Sequence, residues 1–132
     1  MLRRVIFCLS SSAMLWIDLA NAEPLPSTAK QATIEEFKTF SDGKRVDVVI
    51  FDLGVPVTAQ LVWDWKKKRI TGDALVNGKD KIKVKTKLSF KDQQACSEQD
   101  GKPICHSIYI DGTRFYEARA DGDVHATSTL QK

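Results

Sequence analysis

The chain has 132 residues, a formal net charge of +3, 28% charged side chains and three cysteines. That length can bury one core, and it shows neither a second domain nor an internal repeat. No GxSxG elbow, Cys-x-x-Cys pair or calcium-loop spacing announces hydrolysis, redox exchange or a metal.

Leu2-Arg3-Arg4, an apolar stretch from Val5 to Ile17, and Ala20-Asn21-Ala22 before Glu23-Pro24 follow the order of a secretory signal peptide. The apolar stretch falls short of the about 20 residues that span a bilayer, and no cysteine follows the cut to carry a lipid anchor. Residues 1–22 are therefore expected to be removed. The product is an exported protein, periplasmic or secreted, with no transmembrane segment. The cut takes Cys8 with it and leaves Cys96 and Cys105, which an oxidising compartment would join.

Residues 23–32 hold two prolines among small polar side chains and suggest a flexible leader, with 33–132 as the single domain. In "TIEEFKTF", Thr33 and Glu36 form a capping box for a short helix. A hairpin about Asp42-Gly43, setting Phe37 opposite Val48, competes with it, and the helix is preferred. From Lys44 onward the signals are for strands. "RVDVVIFDL" is rich in β-branched and aromatic residues, and Val57, Ala59, Leu61, Trp63 and Trp65 alternate onto one face. Turn dipeptides at Asn77-Gly78, Asp100-Gly101, Asp111-Gly112 and Asp121-Gly122 separate further short runs. The expected class is all-β, an antiparallel meander of about seven or eight strands closed as a small barrel or stacked as a sandwich.

In "KDKIKVKTKL", lysines occupy every second position from Lys79 to Lys87, and Ile82, Val84, Thr86 and Leu88 lie between them. That alternation marks a strand with one solvated and one buried face. Joined to "RITGDALVN" by a two-residue Asn-Gly turn, Ile70, Ala74 and Val76 would share the lysine face. A three-residue loop with Gly78 in the left-handed region corrects the parity and sets Asp73 opposite Lys83. Between Lys66 and Lys91 there are ten basic and two acidic residues, against eight basic and fourteen acidic in the rest of the chain after residue 22.

Cys96 and Cys105 are equidistant from the centre of Asp100-Gly101. They should therefore face each other as a non-hydrogen-bonded pair with Cα atoms about 4.5 Å apart, inside the disulfide range of about 4.4–6.8 Å. The same symmetry about Asp111-Gly112 sets His106 opposite Glu117 and Ile108 opposite Phe115. About Asp121-Gly122 it sets Glu117 opposite Ala126 and Phe115 opposite Ser128. One core face would then carry Ile108, Ile110, Phe115, Val124, Ala126 and Leu130.

Three function classes follow. The first is a non-catalytic binding protein that docks an anionic partner on Lys81, Lys83, Lys85 and Lys87, joined by Lys66, Lys67, Lys68 and Arg69. The partner would be an acidic protein, as for an inhibitor, or an anionic envelope component: a glycolipid, a cell-wall polymer or phospholipid headgroups. The plainer account of the same row is a wet or edge strand kept soluble by charge. Nucleic acid fits poorly, because no aromatic side chains interleave the lysines to stack bases. The second class is a barrel that carries a small ligand or lipid past Trp63 and Trp65, although aromatics at strand period more often fill a core. The third is a hydrolase centred on His106 and Glu117, which lacks an adjacent nucleophile. No cofactor is implied, and His125 lacks the converging ligands that zinc requires.

Overall fold

A computed structural model describes residues 24–132; the expected signal peptide, with Cys8, lies outside the described residues. Period-two alternation broken by glycine-containing turns folds the chain into successive antiparallel strands. A two-residue strand β1 (Lys30–Gln31) and a helix α1 (Ile34–Ser41) come first. They are followed by β2 (Arg45–Ile50), β3 (Val57–Asp64), β4 (Arg69–Val76), β5 (Asp80–Lys91), β6 (Gln94–Gln99), β7 (Lys102–Asp111), β8 (Arg114–Ala118) and β9 (Val124–Leu130). Each strand from β2 to β9 pairs with the next, and β9 pairs back onto β2, so the eight strands close into a barrel. Lys30 and Gln31, placed in the leader by composition, pair with Ile110 and Tyr109. That part of β7 lies beyond the reach of β6.

The helix forms because Thr33 Oγ1 accepts from the Glu36 N–H at 3.1 Å while Glu36 Oε1 accepts from the Thr33 N–H at 2.8 Å. Both are donors that the first turn would otherwise leave unpaired. The apolar face of α1 closes one end of the barrel. Phe37 is fully buried there, edge-on to Trp63, Trp65 and Phe115 at centroid distances of 5.2, 5.9 and 4.7 Å. The chain leaving the helix is fastened to the end of β3. Gly43 N–H donates to Trp63 O, Asp42 Oδ1 accepts from Trp65 N–H, and Ser41 Oγ accepts from Trp65 Nε1. Lys44 N–H donates to Ser41 O at 3.1 Å, so Asp42-Gly43 does turn the chain, but it joins the helix to β2 rather than two strands.

Two expected registers are met. Cys96 and Cys105 are bonded across the β6–β7 hairpin with Cα atoms 4.0 Å apart, and Asp100 and Gly101 turn at φ of 51° and 80°. Asp73 faces Lys83 across a three-residue loop, with Asn77 at φ 53° and Gly78 at φ 70°. A third is met across β8–β9, where Phe115 faces Ser128 and Glu117 faces Ala126, and one is corrected. The β7–β8 turn falls on Gly112-Thr113, so Glu117 faces Ile108, and His106 faces Ala95 of β6 instead. The difference is a slip of two residues, which leaves the same side chains inward, so alternation could not choose between the registers. At the other end of β8, Glu117 pairs with Ala126 but Ala118 pairs with Val124. The extra residue is His125, a bulge through which His125 lines the lumen while Val124 stays buried.

The interior is filled from every strand of the barrel, with Val46, Val48, Ala59, Trp63, Ile70, Leu88, Ala95, Ile108, Phe115 and Ala126 in one cluster with Phe37. β4 passes so close to β3 at Gly72 that a Cβ there would lie 2.0 Å from Gln60 O, and φ is 152°. Gly72→Ala should therefore destabilise the protein by about 3 kcal/mol or more. Gly78→Ala, strained in φ but open in space, should cost about 1 kcal/mol. Urea unfolding of the two variants tests the order; equal losses would mean that Gly72 is not a packing constraint.

Candidate functional site

The lysine strand β5 is twice as long as its neighbour β6. β4 pairs with it from Asp80 to Lys87, whereas β6 reaches only Leu88 to Lys91. Along Asp80–Lys87 no strand among the described residues pairs with the other edge. One hydrogen bond crosses this seam, from Thr86 Oγ1 to Glu98 O at 2.7 Å.

The β3–β4 turn brings a second set of cations to the seam. Asp64 Oδ1 accepts from the N–H groups of Lys66 and Lys67 at 3.1 and 3.0 Å, and Lys68 adopts φ 54°. Lys68 O then accepts from Leu88 N–H at 2.9 Å, which holds the turn against β5. Arg69 pairs directly with Lys87. The result is a surface groove of about 640 Å³ lined by Lys67, Lys68, Arg69, Lys85 and Lys87, with Thr86, Ser89 and Pro103, and with Glu98 as the one acidic wall residue. Alternate lysines on a strand stand about 6.6 Å apart, within a Debye length at physiological salt, so the groove concentrates positive potential.

The other cations marked out in the sequence lie elsewhere. Lys66 lines a shallow hollow with Lys38, Asp42 and Trp65. Lys83 sits 3.7 Å from Asp73, both largely exposed, an arrangement of little energetic weight. Lys81 lies in a third hollow beside Asp47 and Asp73.

Behind the seam is the lumen, a cavity of about 220 Å³ walled by Val48, Ala59, Leu61, Ile70, Ala74 and Val84 and floored by Trp63. It shares Thr86 and Glu98 with the basic groove, so the two meet where β6 leaves β5. Among the described residues Trp63 Nε1 is buried with no hydrogen-bond partner, while Trp65 Nε1 is committed to the plug through Ser41. Both indoles belong to the core, and Trp63 alone of the pair faces the lumen.

The lumen also carries a polar cluster that the sequence did not reveal. Through the bulge, His125 reaches inward, stacks on His106 at 4.4 Å with rings 6° apart, and lies 2.5 Å from Asp52 through Nδ1. Asp52 also takes Arg119 Nη1 at 3.2 Å, and Arg119 Nη2 meets Asp121 and Asp123 at 3.0 and 3.1 Å, tying the β2–β3 and β8–β9 loops together. Burial holds His106 neutral, its pKa brought down to about 4, with the nearby His125 and Arg119 adding to the effect and Asp52 opposing it. Glu117, half-buried in the lumen wall, is pushed up to about 7 by burial; His125 lowers it in part and Asp52 raises it. The histidine that influences Glu117 is thus His125, not His106. Among the described residues no group of three or more His, Cys, Asp or Glu side chains converges to hold a metal ion.

No protein-family model matches the chain, and no curated protein or solved structure is significantly similar to it.

The two shifted groups set opposite pH dependences. Between about pH 4.5 and 7 the folded protein keeps a Glu117 proton that the unfolded chain has released, so this contribution is complete below pH 4.5 and is lost as pH rises through 7. His106 refuses a proton that the unfolded chain accepts below 6.5, so stability falls as pH drops from 6.5 towards 4. Between about pH 4.5 and 6.5 the two slopes oppose and nearly cancel, so stability should form a shallow plateau there, less than about 1 kcal/mol above either flank. Glu117→Gln should gain up to about 3 kcal/mol over the parent at pH 8 and change little at pH 4. Thermal unfolding across pH measures this, and a Gln variant that gains nothing at pH 8 would show that Glu117 ionises freely.

Proposed function

We propose that the protein is an exported, non-catalytic binding protein that holds an acidic protein partner against the groove between β5 and the β3–β4 turn. The observation that carries this reading is the groove's composition: Lys67, Lys68, Arg69, Lys85 and Lys87 on its walls against one carboxylate, Glu98. Cations gathered from two separate segments onto one concave surface suit a partner's carboxylates better than an evenly wetted face, where they would lie apart. The Cys96–Cys105 disulfide suits an oxidising compartment outside the cytoplasm. Among the described residues no helix is long and apolar enough to cross a membrane.

A second reading, a small-ligand barrel, draws support from the lumen and the unpartnered indole N–H of Trp63. At about 220 Å³ the cavity is below the usual range for drug-sized ligands, about 300–1,000 Å³. It suits a small apolar molecule bearing an acceptor better than a lipid chain.

The docking reading is tested by titrating the oxidised protein with polyglutamate and, separately, with phosphatidylglycerol vesicles. A variant carrying Lys67→Ser, Lys68→Ser, Lys85→Thr and Lys87→Thr is measured beside it; serine suits the turn and threonine the strand. The native protein should bind polyglutamate with an affinity that falls about tenfold or more between about 50 and 300 mM salt, and the variant should bind about tenfold more weakly at low salt. Equal binding by both proteins overturns the groove. Binding to vesicles alone overturns the choice of a protein partner.

A further inference from the structure

We infer that the free edge of β5 is a strand-addition site, which takes an extended segment of another protein with alternating acidic and apolar residues. This inference rests on the reading of the basic groove as the docking surface and specifies how a partner's backbone enters it.

The direction of the free backbone groups follows from one hydrogen bond. In a strand, a residue's N–H and C=O point to the same side, and the next residue's point to the other. Leu88 N–H is bonded to Lys68 O, on the β4 side, so Thr86, Val84 and Ile82 also turn their backbone groups towards β4. Lys87, Lys85, Lys83 and Lys81 therefore direct theirs to the seam. Ser89, the next residue of that parity, faces Cys96 where β6 does pair, which agrees with the assignment. The exposed edge runs from Asp80 to Lys87, roughly 26 Å at the usual rise, and among the described residues the bond from Thr86 Oγ1 to Glu98 O crosses it.

The side chains flanking this edge define the occupant. On the outer face an added strand would lie beside the lysine row, where carboxylates at alternate positions meet opposite charge across the pair. On the inner face it would meet Ile82, 50% exposed, and Ile104 of β7, 39% exposed, over the mouth of the lumen. That side favours apolar residues. A second copy of this chain would set lysine row against lysine row, and like charges directly opposite are unfavourable. The same lysines that turn away a second copy thus select an acidic segment. Main-chain hydrogen bonds would supply affinity and the alternating side chains specificity.

The test is amide hydrogen exchange of the oxidised protein, alone and saturated with the peptide acetyl-Glu-Val-Glu-Val-Glu-Val-Glu-amide. The amides of Lys81, Lys83 and Lys85 should slow by about tenfold or more on saturation, while those of Ile82 and Val84, already bonded to β4, should not change. Lys83→Pro removes one free-edge N–H without touching the β4 ladder and should weaken peptide binding about tenfold. Lys83→Thr keeps the N–H and should lose far less. Peptide binding with unchanged lysine amides overturns strand addition and leaves side-chain docking in the groove standing. Binding of polyglutamate but not of the alternating peptide also overturns it. Failure of both ligands sinks the groove reading as well. Protection of the lysine amides that grows with protein concentration in the absence of peptide would assign the edge to a second copy. The exchange measurement on the native chain decides the matter even if the proline variant does not fold.

Discussion

The barrel depends on the seating of Phe37 among Trp63, Trp65 and Phe115. Eight short strands closed on themselves leave two open ends, and an apolar lumen open at both would admit water along its length. α1 closes one end with an aromatic side chain that has no exposed surface. The bonds from Ser41, Asp42 and Gly43 to the end of β3 fix where the helix can lie. With that end sealed, what remains of the lumen lies towards the opposite rim and the seam. The lumen is therefore reached from that half of the barrel, whereas the basic groove lies on the outer wall beside the β3–β4 turn, at the end that the helix closes.

The seam itself comes from unequal strand lengths. β5 runs for twelve residues, and β6 for six before Asp100-Gly101 turns the chain back. The surplus of β5 pairs with β4 alone. A strand edge left open in this way needs protection or a partner, and the lysines bear on both. They concentrate charge beside the groove and make the edge inhospitable to neutral or basic strands. The disulfide holds the shorter hairpin closed on the other side of the gap.

Much of this was legible before any coordinates, because strands advertise themselves by period two and tight turns by their dipeptides. The Cys96–Cys105 pairing followed from symmetry about Asp100-Gly101, and the three-residue loop at Asn77-Gly78 from the need to keep Ile70 and Lys83 on opposite faces. The cations from Lys66 to Arg69, grouped in sequence with the lysine row, part company in the fold. Register sets Arg69 against Lys87, while Lys66 turns to the hollow beside Trp65. The His106–Glu117 pair was wrong because a two-residue slip is invisible to alternation. The Asp52–His125 contact was beyond reach for two reasons. Its members are 73 residues apart, and His125 faces inward only because of a bulge that no local signal marked. The open edge of β5 had a faint signal in the short spacing between Lys91 and Asp100, too few residues to cover so long a strand.

Closure by β2 and β9 has a consequence for how the chain acquires its shape. Seven of the eight barrel pairings join neighbours in sequence and can form as soon as each hairpin exists, but the eighth joins Val46 to Leu130, nearly the whole length of the domain. A nascent chain emerging from its N-terminus holds β2 without its second neighbour until the last strand has been made. During that interval the molecule is an open, curling ribbon with an unpaired border at its leading end. Loss of β9 would leave β2 and β8 both unsealed, so the final seven-residue strand works as the clasp of the ring.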